Sequence, residues 1–204
     1  MKSSSAARQI RIIGIGGAAA PQSSTEQALM IALAAAERAG AKVKLFGGAS
    51  LVRLPHYLMP ASRRSRQARR LVASIREADG VIIASPGYHG SVSGLLKNAI
   101  DYLEETARDE RPYLDGLPVG LIATAYGWQA AASTLATLRA ITHALRGWPT
   151  PLGGAFNCSG GVFKEGRCRD PDTQEKIELI GRQVHGFASQ RMSGQAIPAL
   201  AQPA

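Results

Sequence analysis

Three stretches of the chain concentrate residue types that hold small molecules. The first is GIGGAAAPQSSTEQAL, residues 14–29, where glycines give way to the hydroxyls of Ser23, Ser24 and Thr25. Backbone amides at a helix start, joined by hydroxyl side chains, cradle a phosphate. The second is SPGYHGSVSGLLKNAID, Ser85 to Asp101. Pro86-Gly87 makes a turn, Gly90 removes a side chain, and Tyr88 and His89 supply an aromatic wall beside bare backbone. Those features suit a flat heteroaromatic ring, whose edge takes hydrogen bonds from amides while an aromatic covers a face or flank. The third is ATAYGWQAA, residues 123–131, in which Tyr126 and Trp128 flank Gly127.

Each stretch has a competing reading. Gly14, Gly16 and Ala19 fit the G-x-G-x-x-A form of the dinucleotide fingerprint, but that motif needs an immediate helix and an acidic residue about 20 positions on. The second apolar run ends Lys44-Leu45-Phe46-Gly47 without a carboxylate, and Pro21-Gln22 lengthens the turn. A helix start at Ser23 fits better. Ser23-x-x-Glu26 reads as a capping box, which stabilises a helix with or without a ligand. Glu26 opposes a bound phosphate unless its carboxylate turns back onto the Ser23 backbone.

Other candidates are weaker. His89 is of a residue type that can serve as a proton donor, though a water-exposed loop histidine is the preferred reading. His143 lies among Leu138, Ile141 and Leu145 and is expected to pack within a helix. Cys158 and Cys168 are too few for a disulfide framework or a zinc site, so no metal is expected and the thiols read as idle.

These stretches need elements to position them. Five apolar, β-branched-rich runs stand out: 9–15, 42–46, 81–85, 117–124 and 150–157. Helical spacing separates them, at Glu26 to Arg38, at Arg66 to Glu77, along Leu95, Ala99 and Leu103, along Leu135, Leu138, Ile141 and Leu145, and along Ile177, Ile180, Val184 and Phe187. Asp170-Pro171 opens the last of these as N-cap and first-turn proline. Lys97 and Asp101 form an i,i+4 pair on a helix surface. Alternation of this kind predicts an α/β chain with a doubly wound parallel sheet. Ligands of such sheets bind in loops at the carboxyl ends of strands. The loops at 16–24, 86–93 and 125–130 are therefore expected to carry the function. Residues 1–192 read as a single domain and 193–204 as a disordered tail.

Composition bounds the class. Of 204 residues, 45% are hydrophobic and the net charge is +9. No apolar run approaches the ~18 residues of a membrane span, and MKSSSAARQI lacks the apolar core of a secretory signal. A cytoplasmic setting, with no membrane or nucleic-acid partner, is expected. Much of the positive charge sits in RRSRQARR, Arg63 to Arg70, yet Ala68, Leu71, Val72 and Ile75 place those arginines on the outer face of an amphipathic helix.

SPGYHGSVSGLLKNAIDYLE resembles the flavin-ring motif of the NADPH-dependent FMN reductase family. That pattern runs roughly S-P-x-Y-x-x-S-x-x-G-x-L-K-N-x-I-D, and this stretch meets every fixed position. The first loop resembles the family's G-S-T-R-P-G-S-S-T phosphate turn at Gly17, Pro21, Ser23, Ser24 and Thr25, and loosely at Ala19. It departs where Ala18 replaces serine, Ala20 replaces arginine and Gln22 replaces glycine. The third loop, glycine-rich in the family, is bulkier here. The resemblance spans about residues 9–160.

The resemblance implies a flavodoxin-like fold with five parallel strands in the order 2-1-3-4-5. It implies FMN as cofactor and NADPH or NADH as co-substrate, with hydride passing from nicotinamide to FMN and electrons to a second acceptor. That acceptor is a small molecule, or the reduced flavin is handed to a partner monooxygenase. An FMN-retaining quinone, azo or metal-oxyanion reductase is the alternative. A flavodoxin-like electron carrier is disfavoured, because such carriers are usually acidic. The implied cofactor contacts are Ser23, Ser24, Thr25, Pro86, Gly87, Tyr88, His89, Gly90, Ser91, Ala125, Tyr126 and Gly127. The flavin carries the chemistry, so no catalytic side chain is implied. A homodimer or homotetramer is expected, as is loosened FMN binding from the missing arginine at Ala20.

Overall fold

Runs of isoleucine, valine and leucine bury both faces of a central sheet, which is what a parallel sheet covered by helices on two sides requires. The computed structural model describes residues 8–164 and 166–194. Strand β1 (Arg11–Gly16) leads into helix α1 (Ser24–Arg38), then β2 (Lys42–Phe46), the single turn α2 (Gly48–Leu51) and α3 (Arg66–Arg76). Next come β3 (Gly80–Tyr88), β4 (Ser91–Val92), α4 (Gly94–Asp101), β5 (Pro118–Ala125) and α5 (Trp128–Ala144). The chain closes with β6 (Trp148–Pro149), β7 (Gly154–Asn157), the small hairpin β8 (Phe163–Lys164) and β9 (Arg167–Cys168), and α6 (Pro171–Met192).

The parallel strands run β2-β1-β3-β5, with β6 and β7 as successive pieces of a fifth strand on β5. Counted as principal strands, this is the expected order 2-1-3-4-5, a flavodoxin-like sheet. One face carries Ile12, Ile82, Ile122 and Phe156 against α1 and α6, and the other carries Ile13, Ile83, Val119 and Leu121 beneath α3, α4 and α5. Helices α1 and α6 approach closely because α1 offers Ala28, Ala32 and Ala36. A Cβ on Gly181 would collide with the Ala32 carbonyl.

The fifth strand departs from the sequence expectation. Pro118 pairs with Trp148 and Val119 with Pro149, but Ile122 pairs with Gly154. Two residues of β5 therefore face four, Thr150 to Gly153. Trp148 and Thr150 donate to Leu117 and Val119, so Pro149 and Pro151 turn their donorless nitrogens to the open edge. Within the bulge the Leu152 amide donates to Gln183 Oε1 of α6 at 3.1 Å.

Several local expectations hold. Asp170 caps α6, accepting from the Thr173 amide at 3.0 Å with Pro171 at the first position. Lys97 and Asp101 pair at 2.6 Å. Helix α3 buries Ala68, Leu71, Val72 and Ile75, while Arg63 and Arg64 precede it in a short 3-10 turn. Helix α4 buries Leu96, Ala99 and Ile100 with Leu95 half-buried, so the buried stripe is shifted by one residue from Leu95. His143 is exposed, its Nδ1 2.9 Å from the Arg139 carbonyl, against the packed position expected from its apolar neighbours. Of the segment read as a tail, residues 195–204 lie outside the described residues.

Candidate active site at the carboxyl edge of the sheet

The first loop leaves β1 and reaches α1 through a strained corner. Gln22 takes φ 53°, and Gln27 Nε2 fixes it by donating to the Gln22 carbonyl at 2.5 Å. Ser23 caps α1, its Oγ accepting from the Glu26 amide at 3.2 Å. The capping box is only half made: among the described residues the Glu26 carboxylate does not return to Ser23, and it lies against Gly47 instead. The amides of Ser24 and Thr25 reach no protein acceptor among the described residues, so the helix end presents open donors. The Thr25 hydroxyl is differently placed from the cradle expected of it. It is buried and sits 2.6 Å from the Thr124 hydroxyl at the end of β5.

The second loop is not a loose turn. Strand β3 continues through Pro86 and Gly87 to Tyr88, and β4 returns antiparallel with Tyr88 opposite Ser91. His89 and Gly90 take φ 49° and 82°. Positive φ at both central residues makes a type I′ hairpin, a turn that tolerates glycine best and histidine moderately. Two side chains lock its base. Ser85 Oγ accepts from the Ser93 amide at 3.0 Å, and Ser93 Oγ accepts from the Leu96 amide at 3.1 Å, capping α4. Gly87 has a packing reason: a Cβ there would lie 2.7 Å from Thr134 Oγ1 and 3.0 Å from the Ala130 carbonyl, both on α5. Gly90 at the tip has open space around it, and Tyr88, His89 and Gly90 are exposed.

The third loop is shorter than expected. Ala125 ends β5 and Trp128 already begins α5, leaving Tyr126 and Gly127 between them. Gly127 caps α5 without a side chain, so the first amides of that helix are also open donors. The Ala125 carbonyl accepts from the Cys158 amide at 2.8 Å, closing the site on the β7 side. Burial pushes the Cys158 thiol up, with a Ser24 hydrogen bond partly opposing it. Cys168, half-buried in β9, is raised by burial as well.

The structure thus brings Ser23, Ser24, Thr25, Pro86 to Ser91 and Ala125 to Gly127 to one edge of the sheet, around the point where strand order reverses. Helices α1, α4 and α5 all begin there, so their positive ends converge. Sequence reading missed Ser85, Ser93 and Thr124, whose contacts join the loops. Ser93 was the most findable, as a serine directly before a helical apolar stripe.

The sequence profile of the NADPH-dependent FMN reductase family matches residues 10–161. An NADPH azoreductase of Bacillus sp. is 34% identical over 88 residues, 43% of this chain and 46% of that protein. An FMN-dependent NADPH-azoreductase of Staphylococcus saprophyticus is 42% identical over 81 residues, 40% of this chain and 39% of that protein. The chain spans less than half the length of these curated relatives. Among solved structures, the flavoenzyme NAD(P)H:(acceptor) oxidoreductase of Paracoccus denitrificans superposes with TM-score 0.70 at 19% identity, over 90% of this chain and 98% of that one. An NADH:FMN oxidoreductase in its apo form gives TM-score 0.66 at 19% identity, over 89% and 90%. At such identities the likeness is one of fold. With three quarters of its length matched by the family profile, the chain belongs to the NADPH-dependent FMN reductase family.

Proposed function

We propose that the protein is an NAD(P)H-dependent FMN oxidoreductase. The observation that supports this most is the convergence of a capped, amide-rich helix start with the Ser85–Ser93 hairpin and the open start of α5. The donor set fits FMN at both ends. Uncommitted amides of Ser24 and Thr25, with the hydroxyls of Ser23 and Ser24, suit a phosphate; the hairpin and Ala125 to Gly127 supply backbone and aromatic surface for a ring. Bound FMN supplies hydride acceptance from a nicotinamide and electron delivery to a second acceptor. The chain's own part is to bind and orient. Ser23, Ser24 and Thr25 would hold the phosphate; Pro86, Gly87, His89, Gly90 and Ser91 would shape the rim; Tyr88, Ala125, Tyr126 and Gly127 would border the ring.

The second acceptor is a small molecule in this reading, which the azoreductase relatives support. Release of reduced flavin to a monooxygenase is the second reading, and Ala20 favours it, because the phosphate turn lacks the arginine of the family pattern. A cytoplasmic setting and a homodimeric or homotetrameric assembly belong to the same proposal. Purified protein should show or acquire a visible flavin spectrum and oxidise NADPH or NADH with FMN present, faster when a quinone is added. No binding at micromolar FMN, together with no nicotinamide oxidation, overturns the assignment.

A further inference from the structure

The charge of the chain is unevenly spread. Residues 38–76 hold ten lysines and arginines and no acidic residue, while the rest of the chain holds fourteen basic and fifteen acidic side chains. The whole positive excess therefore belongs to one run, from the end of α1 through β2 to the end of α3. Within it Arg53, Arg63, Arg64, Arg66, Arg69 and Arg70 are exposed, and none makes an ion pair or side-chain hydrogen bond among the described residues.

The loop before α3 also carries an apolar tip. The His56 carbonyl accepts from the Met59 amide at 3.1 Å, closing a turn in which Leu58 takes φ 69°. A leucine seldom holds that place, which glycine ordinarily fills. The turn is pinned from behind: the Tyr57 amide donates to Asn98 Oδ1 at 2.8 Å, and the Pro55 carbonyl accepts from the Tyr102 hydroxyl at 2.7 Å. Leu58 is nonetheless 80% exposed and Met59 56%, so a fixed backbone holds both out to solvent. A cleft of about 840 Å³ joins Leu58 and Pro60 to Arg63 and Arg64, which makes the tip and the arginines one surface.

We infer that this surface docks the protein onto an anionic lipid bilayer, with Leu58 and Met59 entering the headgroup region and the arginines meeting lipid phosphates. Each cationic side chain near an anionic leaflet strengthens adsorption about fivefold, and buried apolar area adds to it. Helix α3 spends its own apolar face on the core, so the helix brings charge and the loop brings the insertion. Among the described residues no helix is long and apolar enough to cross a membrane, and a surface contact needs none. The expectation of no membrane partner rested on the lack of a span and does not bear on such a contact. A second copy of the chain is a poorer occupant. A twofold contact sets these arginines against themselves, and the rest of the chain carries no comparable acidic excess. Nucleic acid is poorer too, because single strands are held on exposed aromatics, whereas Tyr57 packs edge-on against Tyr102.

The test is co-sedimentation of the full chain with vesicles of equal parts phosphatidylcholine and phosphatidylglycerol, against pure phosphatidylcholine. The protein should pellet with the mixed vesicles alone and be released as salt is raised. Leu58→Gly suits the φ of the turn, so its melting temperature should hold or rise while vesicle affinity falls about five- to tenfold. Arg63→Ala combined with Arg64→Ala should lower that affinity about twentyfold. No binding to mixed vesicles, or binding that neither change weakens, overturns the inference. A Leu58→Gly protein of altered sedimentation mass also overturns it, by making the tip a subunit contact. Tighter binding to a single-stranded oligonucleotide than to vesicles, unmoved by Leu58→Gly, overturns it in favour of nucleic acid.

Discussion

The Ser93 hydroxyl donates to the Gly17 carbonyl at 2.6 Å, across 76 positions of sequence. Its place in the ladder explains why. Gly17 donates to the Ala84 carbonyl, so the next amide of β3 on that side, at residue 86, is the one that would reach Gly17 O. Residue 86 is proline and has no N–H. Ser93 supplies the missing donor and caps α4 with the same oxygen.

Ser93→Ala removes both bonds and leaves a buried carbonyl unpaired. A cost of about 2–3 kcal/mol is expected from the lost cap and the orphaned acceptor. Denaturant unfolding checks it, and FMN affinity should fall in parallel because two site loops lose their tie. Ser93→Thr, which keeps the hydroxyl, should recover a large part of both.

Ala20 and Ser23 test the phosphate turn. Ala20→Arg should tighten FMN about tenfold or more by adding a charge-assisted bond worth roughly 1.5–3 kcal/mol. Ser23→Ala should loosen it by about 1 kcal/mol, through the cap that orders the open amides. Calorimetric titration reads both. Wild-type protein retaining stoichiometric FMN through dialysis, with Ala20→Arg silent, means that another cation already fills that place.

Gly87 and Tyr88 are adjacent yet should fail differently. Gly87→Ala forces a methyl against Thr134 and the Ala130 carbonyl, and is expected to destabilise the fold by about 1–3 kcal/mol. Tyr88→Ala removes an exposed ring. It should leave the melting temperature unchanged while weakening FMN binding or slowing turnover. Paired thermal melts and flavin titrations separate the two.

Cys158 makes stability depend on alkaline pH. Burial holds its thiol above the ordinary value, so the unfolded chain loses its proton first. This contribution is complete below the unfolded pKa of about 8.5 and is lost as pH climbs through the folded value. Cys158→Ser should flatten the fall in stability above about pH 8.5. Iodoacetamide at pH 8 should label native protein at Cys158 far more slowly than unfolded chain.

The sheet order was legible because five apolar runs alternate with helical spacing, and burial on both faces admits few arrangements. The hairpin was not. Pro86 and Gly87 read as breakers, and their reasons for staying in a strand, Ser93 and the close approach of α5, come from distant sequence. Thr25 illustrates the same limit. Its hydroxyl reads as a phosphate ligand until Thr124, 99 positions away, arrives beside it. His143 sat among leucines, but the buried stripe of α5 runs through Ala131, Thr134, Leu135, Leu138 and Thr142, one residue away from it.

The two extra residues between β6 and β7 carry an evolutionary constraint of parity. Side chains along a strand alternate between faces, so a gain of two returns Phe156 to the α1 and α6 side, where it is buried, and Ala155 to the opposite side. A gain or loss of one would exchange them, driving Phe156 toward α5 and turning the Cys158 amide, which donates to the Ala125 carbonyl, away from β5. Homologous chains should therefore vary the length of this segment in steps of two, and single-residue deletions within Thr150 to Gly153 should be selected against even though these residues are outside the three site loops.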